Sequence, residues 1–164
     1  MIAIVKDKGF IREVLLKALF LFIGFYFFRS LAQRGRFGIM ALIFPDLNSL
    51  FSLYKFFFLS LTTLVVLEYL IMFELPPNFL LSRAAALTVM LMLATVLYAA
   101  HLYVFGGRMG LPFLLVLSAG CVFFGQVISY RLQRKQSLRF EYGLGFLNYF
   151  LVAGFLMGEV LLNL

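Results

Sequence analysis

Glu68, Arg83, His101 and Glu159 are ionisable residues set in otherwise apolar stretches of this 164-residue chain. A charge placed among lipid tails is costly, so it faces a partner or a water-filled path and raises a functional expectation. Glu68 and Arg83 flank the Pro76-Pro77 break, which lets a carboxylate and a guanidinium meet across a short turn. Gln126, Tyr130 and Asn148 fall at the same end of the neighbouring apolar stretches and complete a polar intramembrane cluster. Two chemistries suit it. Polar side chains tie helices together in lipid, at about 0.6–2 kcal/mol per interaction. Alternatively, Glu68 is a proton- or substrate-binding carboxylate on a permeation or catalytic path. His101 and Glu159 sit at comparable depths toward the other end. A His–Glu pair can work as a general base with its orienting partner, yet no nucleophile or metal constellation accompanies it. Tyr103 and Arg108 follow His101, so a ring resting at headgroup level is the plainer reading.

The elements that position these groups follow from composition. The chain is 64% hydrophobic and 13% charged, with a mean hydropathy of +1.05, against about 45–50% and about 25% for soluble domains. A soluble catalytic domain, a nucleic-acid-binding domain and a disordered regulator are excluded. One cysteine, Cys121, and one histidine leave no intrachain disulfide and no zinc site of the usual donor set, and no cofactor is expected.

Five apolar stretches stand out, at 10–28, 49–73, 79–105, 111–130 and 142–164. Each is near the ~20 residues of one bilayer crossing. Pro76-Pro77 interrupts helix between the second and third, and Gly106-Gly107 with Gly110 and Pro112 between the third and fourth. Arg131, Arg134, Lys135 and Arg139 mark the last loop. The runs lack the alternation of a membrane β-barrel, and backbone within lipid must bond internally, so they are expected to be helices. The expectation is an all-α polytopic integral membrane protein, a single domain of about five transmembrane helices. Ile39 to Phe44 is too short to cross and is expected to be interfacial or re-entrant, after which Asp46 or Asn48 can cap the second span. The first stretch also has the outline of a signal peptide. Asp7, Glu13 and Arg29 stand where such a peptide is basic or small, so a retained span is expected.

Orientation follows from Lys and Arg. Lys6, Lys8, Arg12, Lys17, Arg83, Arg131, Arg134, Lys135 and Arg139 fall on the N-terminal side; Arg29, Arg34, Arg36, Lys55 and Arg108 fall opposite. That imbalance places the N-terminus in the cytoplasm and, after five crossings, the C-terminus outside. Small residues suggest where helices approach: Cys121 and Gly125 in the fourth span, Gly154 and Gly158 as a Gly-x-x-x-Gly pattern in the fifth. The contact can be internal or with another chain.

Ala41-Leu42, Asn48-Ser49, Lys55, Leu67-Glu68-Tyr69, Asn78-Phe79-Leu80-Leu81, Arg83, Gly125-Gln126 and Ser129-Tyr130-Arg131-Leu132 occur in this order. Together they resemble an uncharacterised, domain-of-unknown-function family of small multi-span prokaryotic membrane proteins. The resemblance covers 41–132, supports the helical layout and draws attention to Glu68, Arg83, Gln126 and Tyr130. It implies no reaction. Phe51, Ser52 and Leu53 stand where that family carries acidic, Trp and His positions. Three functions are ranked on these features. A structural or accessory subunit of a membrane assembly comes first. A small oligomeric transporter or channel using Glu68 comes second, and a membrane-embedded lipid-modifying enzyme third, because no phosphate-cradling loop or metal motif is visible. The reading leans against an enzyme. The implied partners are the lipid bilayer of a bacterial or archaeal cytoplasmic membrane and either further copies of the chain or a larger complex; nucleic acid is not among them.

Overall fold

The computed structural model describes residues 8–34, 49–72, 74–107, 110–135 and 140–162. Among them every regular element is an α-helix: α1 (Lys8–Arg34), α2 (Leu50–Ile71), α3 (Phe79–Phe105), α4 (Leu111–Gln133) and α5 (Glu141–Leu162). Within the described residues, α1 from Phe10 onward and the whole of α2, α3 and α4 are long and apolar enough to cross a membrane. At 1.5 Å per residue even the 22-residue α2 reaches about 33 Å, against ~30 Å of hydrocarbon. Burial departs from that of a soluble protein in its charges and in its outer surface. Arg83 is 1% exposed and Glu68 7%, while Leu70 and Phe150 are each 73% exposed. Apolar side chains outside and charges inside suit a lipid solvent, and the chain is an integral membrane protein.

Helix ends follow local chemistry. α2 starts at Ser49, whose Oγ accepts the Ser52 N–H at 3.1 Å. Asp46, Asn48 and the expected interfacial stretch at 39–44 lie outside the described residues. α1 runs beyond its expected end at Phe28 to Arg34, because Ser30-Leu31-Ala32-Gln33 holds no helix breaker. α4 passes Tyr130 to Gln133 for the same reason. α3 ends at Gly106, which adopts φ 61° and returns its N–H to Leu102 O at 2.9 Å, a left-handed cap that favours glycine.

The contacts describe an up-and-down bundle. α3 packs chiefly on α4 and α5, and α1 on α2 and α4. Near one end Glu68 of α2 meets Arg83 of α3. Toward the other, the Tyr54 hydroxyl of α2 bonds Thr95 of α3, and Tyr26 of α1 meets Ser118 of α4 at 3.3 Å. Phe25, Phe56, Phe57, Leu61, Leu87 and Met90 fill the middle. Glycines set two close approaches. A Cβ on Gly125 would lie 2.6 Å from Met90 Cε and 3.1 Å from Ala86 O, so α4 and α3 touch there; Cys121, one turn earlier, is fully buried. A Cβ on Gly145 would lie 2.9 Å from the backbone of Leu80 and Leu81, fixing α5 against α3. A methyl group added at Gly154 or Gly158 would meet nothing within 4 Å among the described residues, so their motif faces away from the described helices.

Asn78 joins three segments. It precedes α3 at φ 57°, a conformation asparagine tolerates better than most residues. Its N–H donates to Glu141 Oε2 of α5 at 2.6 Å, and its side-chain amide donates to Leu132 O and Lys135 O, both at 3.2 Å. Asn78→Ala removes the side-chain bonds and strains the backbone. The expected loss is about 2–3 kcal/mol of unfolding free energy, measured by chemical denaturation in detergent. Asn78→Gly should lose less, since it keeps the backbone conformation.

Candidate functional site

The polar cluster is built one helix at a time. α2 reaches its last turn at Glu68, which is positioned to accept from both neighbours. From α3, Arg83 Nη2 donates to Glu68 Oε1 at 2.5 Å; from α1, Lys17 Nζ approaches the same oxygen at 3.0 Å. Lys17 also binds Glu13 one turn earlier at 2.5 Å. Arg83 Nη1 turns to α4, donating to Gln126 Oε1 at 3.0 Å and Ser129 Oγ at 2.9 Å. The Ser129 hydroxyl donates to Ser82 Oγ at 3.3 Å, and Ser82 donates to Phe79 O at 2.7 Å. The guanidinium carbon lies 5.6 Å from the centre of the Phe79 ring. Four helices thus share one network with two acids and two bases, formally neutral.

Of the residues singled out from sequence, Glu68, Arg83 and Gln126 converge here. Tyr130 lies beside them, stacking edge-on with Phe10 at 4.8 Å and lying 4.5 Å from the Arg134 guanidinium. Asn148 bonds elsewhere: its amide donates to Thr88 Oγ1 at 3.0 Å, tying α5 to α3 one turn further along. The reason is register, since α5 begins against Asn78 and its eighth residue therefore meets α3 past Arg83. His101 is buried; its ring lies 5.2 Å from Phe105 and 4.4 Å from Phe113. The side chain of Glu159 lies outside the described residues, so the outer pair is not placed. Among the described residues no three His, Cys, Asp or Glu side chains converge as metal ligands would.

Three participants escape a reading of the sequence. Lys17 looks like a topological charge alone, although Glu13 and Lys17 stand four apart, the spacing of a helical ion pair, at the depth of Glu68. Glu141 carries no motif, and it anchors the Asn78 turn. Lys55, placed with the charges of the opposite side, is buried in α2.

Two depressions border the cluster. A narrow crevice is lined by Glu13, Val14, Lys17, Arg83, Gln126, Tyr130 and Gln133. It meets a wider cleft of about 470 Å³ between the start of α1, the Pro76-Pro77 turn and the end of α4. Among the described residues, Glu68 Oε2, Arg83 Nε, Gln126 Nε2 and Gln133 Nε2 are buried without a hydrogen-bond partner. The arrangement can hold helices together and can present donors to a polar group at its mouth. No family model, curated protein or solved structure matches the chain.

Proposed function

We propose that the chain serves as a structural or accessory subunit of a membrane assembly, as a member of an uncharacterised family of small multi-span prokaryotic membrane proteins. In this reading α5 is a fifth crossing, and the protein sits in the cytoplasmic membrane of a bacterium or archaeon with its N-terminus inside and its C-terminus outside. The charge distribution supports the orientation: Lys17, Arg83, Arg131, Arg134 and Lys135 gather at the end where α1 begins. One observation carries the subunit reading. The interior charges neutralise one another beside a packed apolar middle, whereas Gly154 of α5 has none of the described residues within 4 Å of an added methyl group. Small outward residues let a neighbouring helix approach closely.

The test is assembly. Gly154→Leu combined with Gly158→Leu should leave the monomer folded and abolish migration as a complex on a native gel. A variant that keeps the wild-type complex would contradict the reading. A transporter or channel with Glu68 in its pathway is favoured by the cleft that reaches Lys17 beside Glu68.

A further inference from the structure

The wide cleft has features of a built site. Its volume, about 470 Å³, falls in the range of small-molecule pockets. Met72, Leu75, Pro76 and Pro77 line part of it, and two acids, Glu13 and Glu74, face two bases, Lys17 and Arg134. The lining is therefore neutral in sum, with Glu13 bound to Lys17. A net anion would be repelled by the acids and a net cation by the bases. A ligand carrying one charge of each sign fits both.

The buried donors set its orientation. Gln133 lines both the cleft and the crevice behind it. It is 8% exposed, and its Nε2 has no partner among the described residues. A buried amide in this state calls for an acceptor. Lys17, which lines the cleft, carries three N–H donors, of which Glu13 and Glu68 take two. The guanidinium carbon of Arg134 lies 4.5 Å from the centre of the Tyr130 ring. Three donor-bearing side chains lining the cleft suit the oxygens of a phosphodiester. Glu74, exposed on the Pro76-Pro77 turn, stands at the mouth to receive a cation.

We propose that this cleft binds a zwitterionic phosphoamine, a phosphodiester joined to a primary ammonium, with the phosphate toward Gln133, Lys17 and Arg134 and the ammonium toward Glu74. The cleft lies at the ends of the spans, the depth at which phospholipid head groups sit. The inference rests on the membrane placement and is independent of the subunit reading, because it is read on the isolated chain.

The purified full chain in dodecyl maltoside is titrated with dihexanoyl phosphatidylethanolamine, dihexanoyl phosphatidylglycerol and glycerophosphoethanolamine. Binding is followed by the thermal midpoint and by adducts in native mass spectra. The ethanolamine lipid should bind about tenfold more tightly than the glycerol lipid, a difference of about 1.4 kcal/mol. Glu74→Gln, on an exposed turn, should erase that preference, and Gln133→Leu should weaken the ethanolamine lipid by a similar factor. Binding of glycerophosphoethanolamine as tightly as the lipid assigns a free solute; binding of the lipid alone assigns a head group, and both support the proposal. Equal affinity for the two lipids, no binding of either ethanolamine compound, or a preference that survives Glu74→Gln would overturn it. Should Gln133→Leu lower the thermal midpoint without ligand, Glu74→Gln decides.

Discussion

Arg83→Met should lower the unfolding free energy by about 3–5 kcal/mol, the usual consequence of removing one member of a buried ion pair. The guanidinium donates to Glu68, Gln126 and Ser129 at once, so its loss leaves acceptors on α2 and α4 unsatisfied. Lys17 would remain beside Glu68, yet its ammonium already serves Glu13 and cannot reach α4 by any bond it makes here. The informative companion is the double substitution Arg83→Met with Glu68→Met. Replacing both charges with apolar groups of similar size is often close to neutral, and Glu13 still balances Lys17. The double variant should therefore recover most of what the single variant loses. Unfolding curves in mild detergent read both. If the double variant is no more stable than Arg83→Met, the charges do not act as a pair.

The second large effect is expected from Gly145→Leu. Only a hydrogen separates Gly145 from the backbone of Leu80 and Leu81, and backbone atoms cannot rotate aside. A larger side chain must push α5 off α3, breaking the Thr88–Asn148 bond as it does so. Overpacking of this kind costs about 1–3 kcal/mol or more. Disulfide trapping between cysteines introduced on α3 and α5 should fall in yield. Gly154→Leu provides the contrast. With nothing within 4 Å among the described residues, it should shift monomer stability by less than about 0.5 kcal/mol. Equal destabilisation by the two changes would mean that α5 packs with a different face.

These two glycines show what the sequence could and could not reveal. The helices were legible because hydrocarbon leaves few alternatives. Runs of about 20 apolar residues, broken by Pro76-Pro77, Gly106-Gly107 and an arginine-rich loop, allow little else. The convergence of Glu68, Arg83 and Gln126 was legible too, since a tight turn between two spans forces equal depths on its flanks. Rotation about each helix axis was not. A Gly-x-x-x-Gly pattern announces close approach without saying to what, and Gly145 belongs to no such pattern, so its contact with α3 carries no sequence signal. Asn148 departs from expectation for a related reason: depth puts it near the cluster, but register carries it to Thr88. Lys17 shows its role through its spacing from Glu13 rather than through its sign. His101 looks interfacial because Tyr103 and Arg108 follow it, and its ring is packed against Phe105 and Phe113.

The Lys17–Glu68–Arg83 network is proposed above all to join helices and not to conduct. Proteoliposomes containing the full chain and a pH-sensitive dye, given a potassium diffusion potential, test this most directly when wild type is compared with Glu68→Gln. Wild type should show no proton flux above empty liposomes, and the variant should unfold at a lower midpoint. Flux in wild type that disappears in a Glu68→Gln protein of unchanged stability would contradict the joining role.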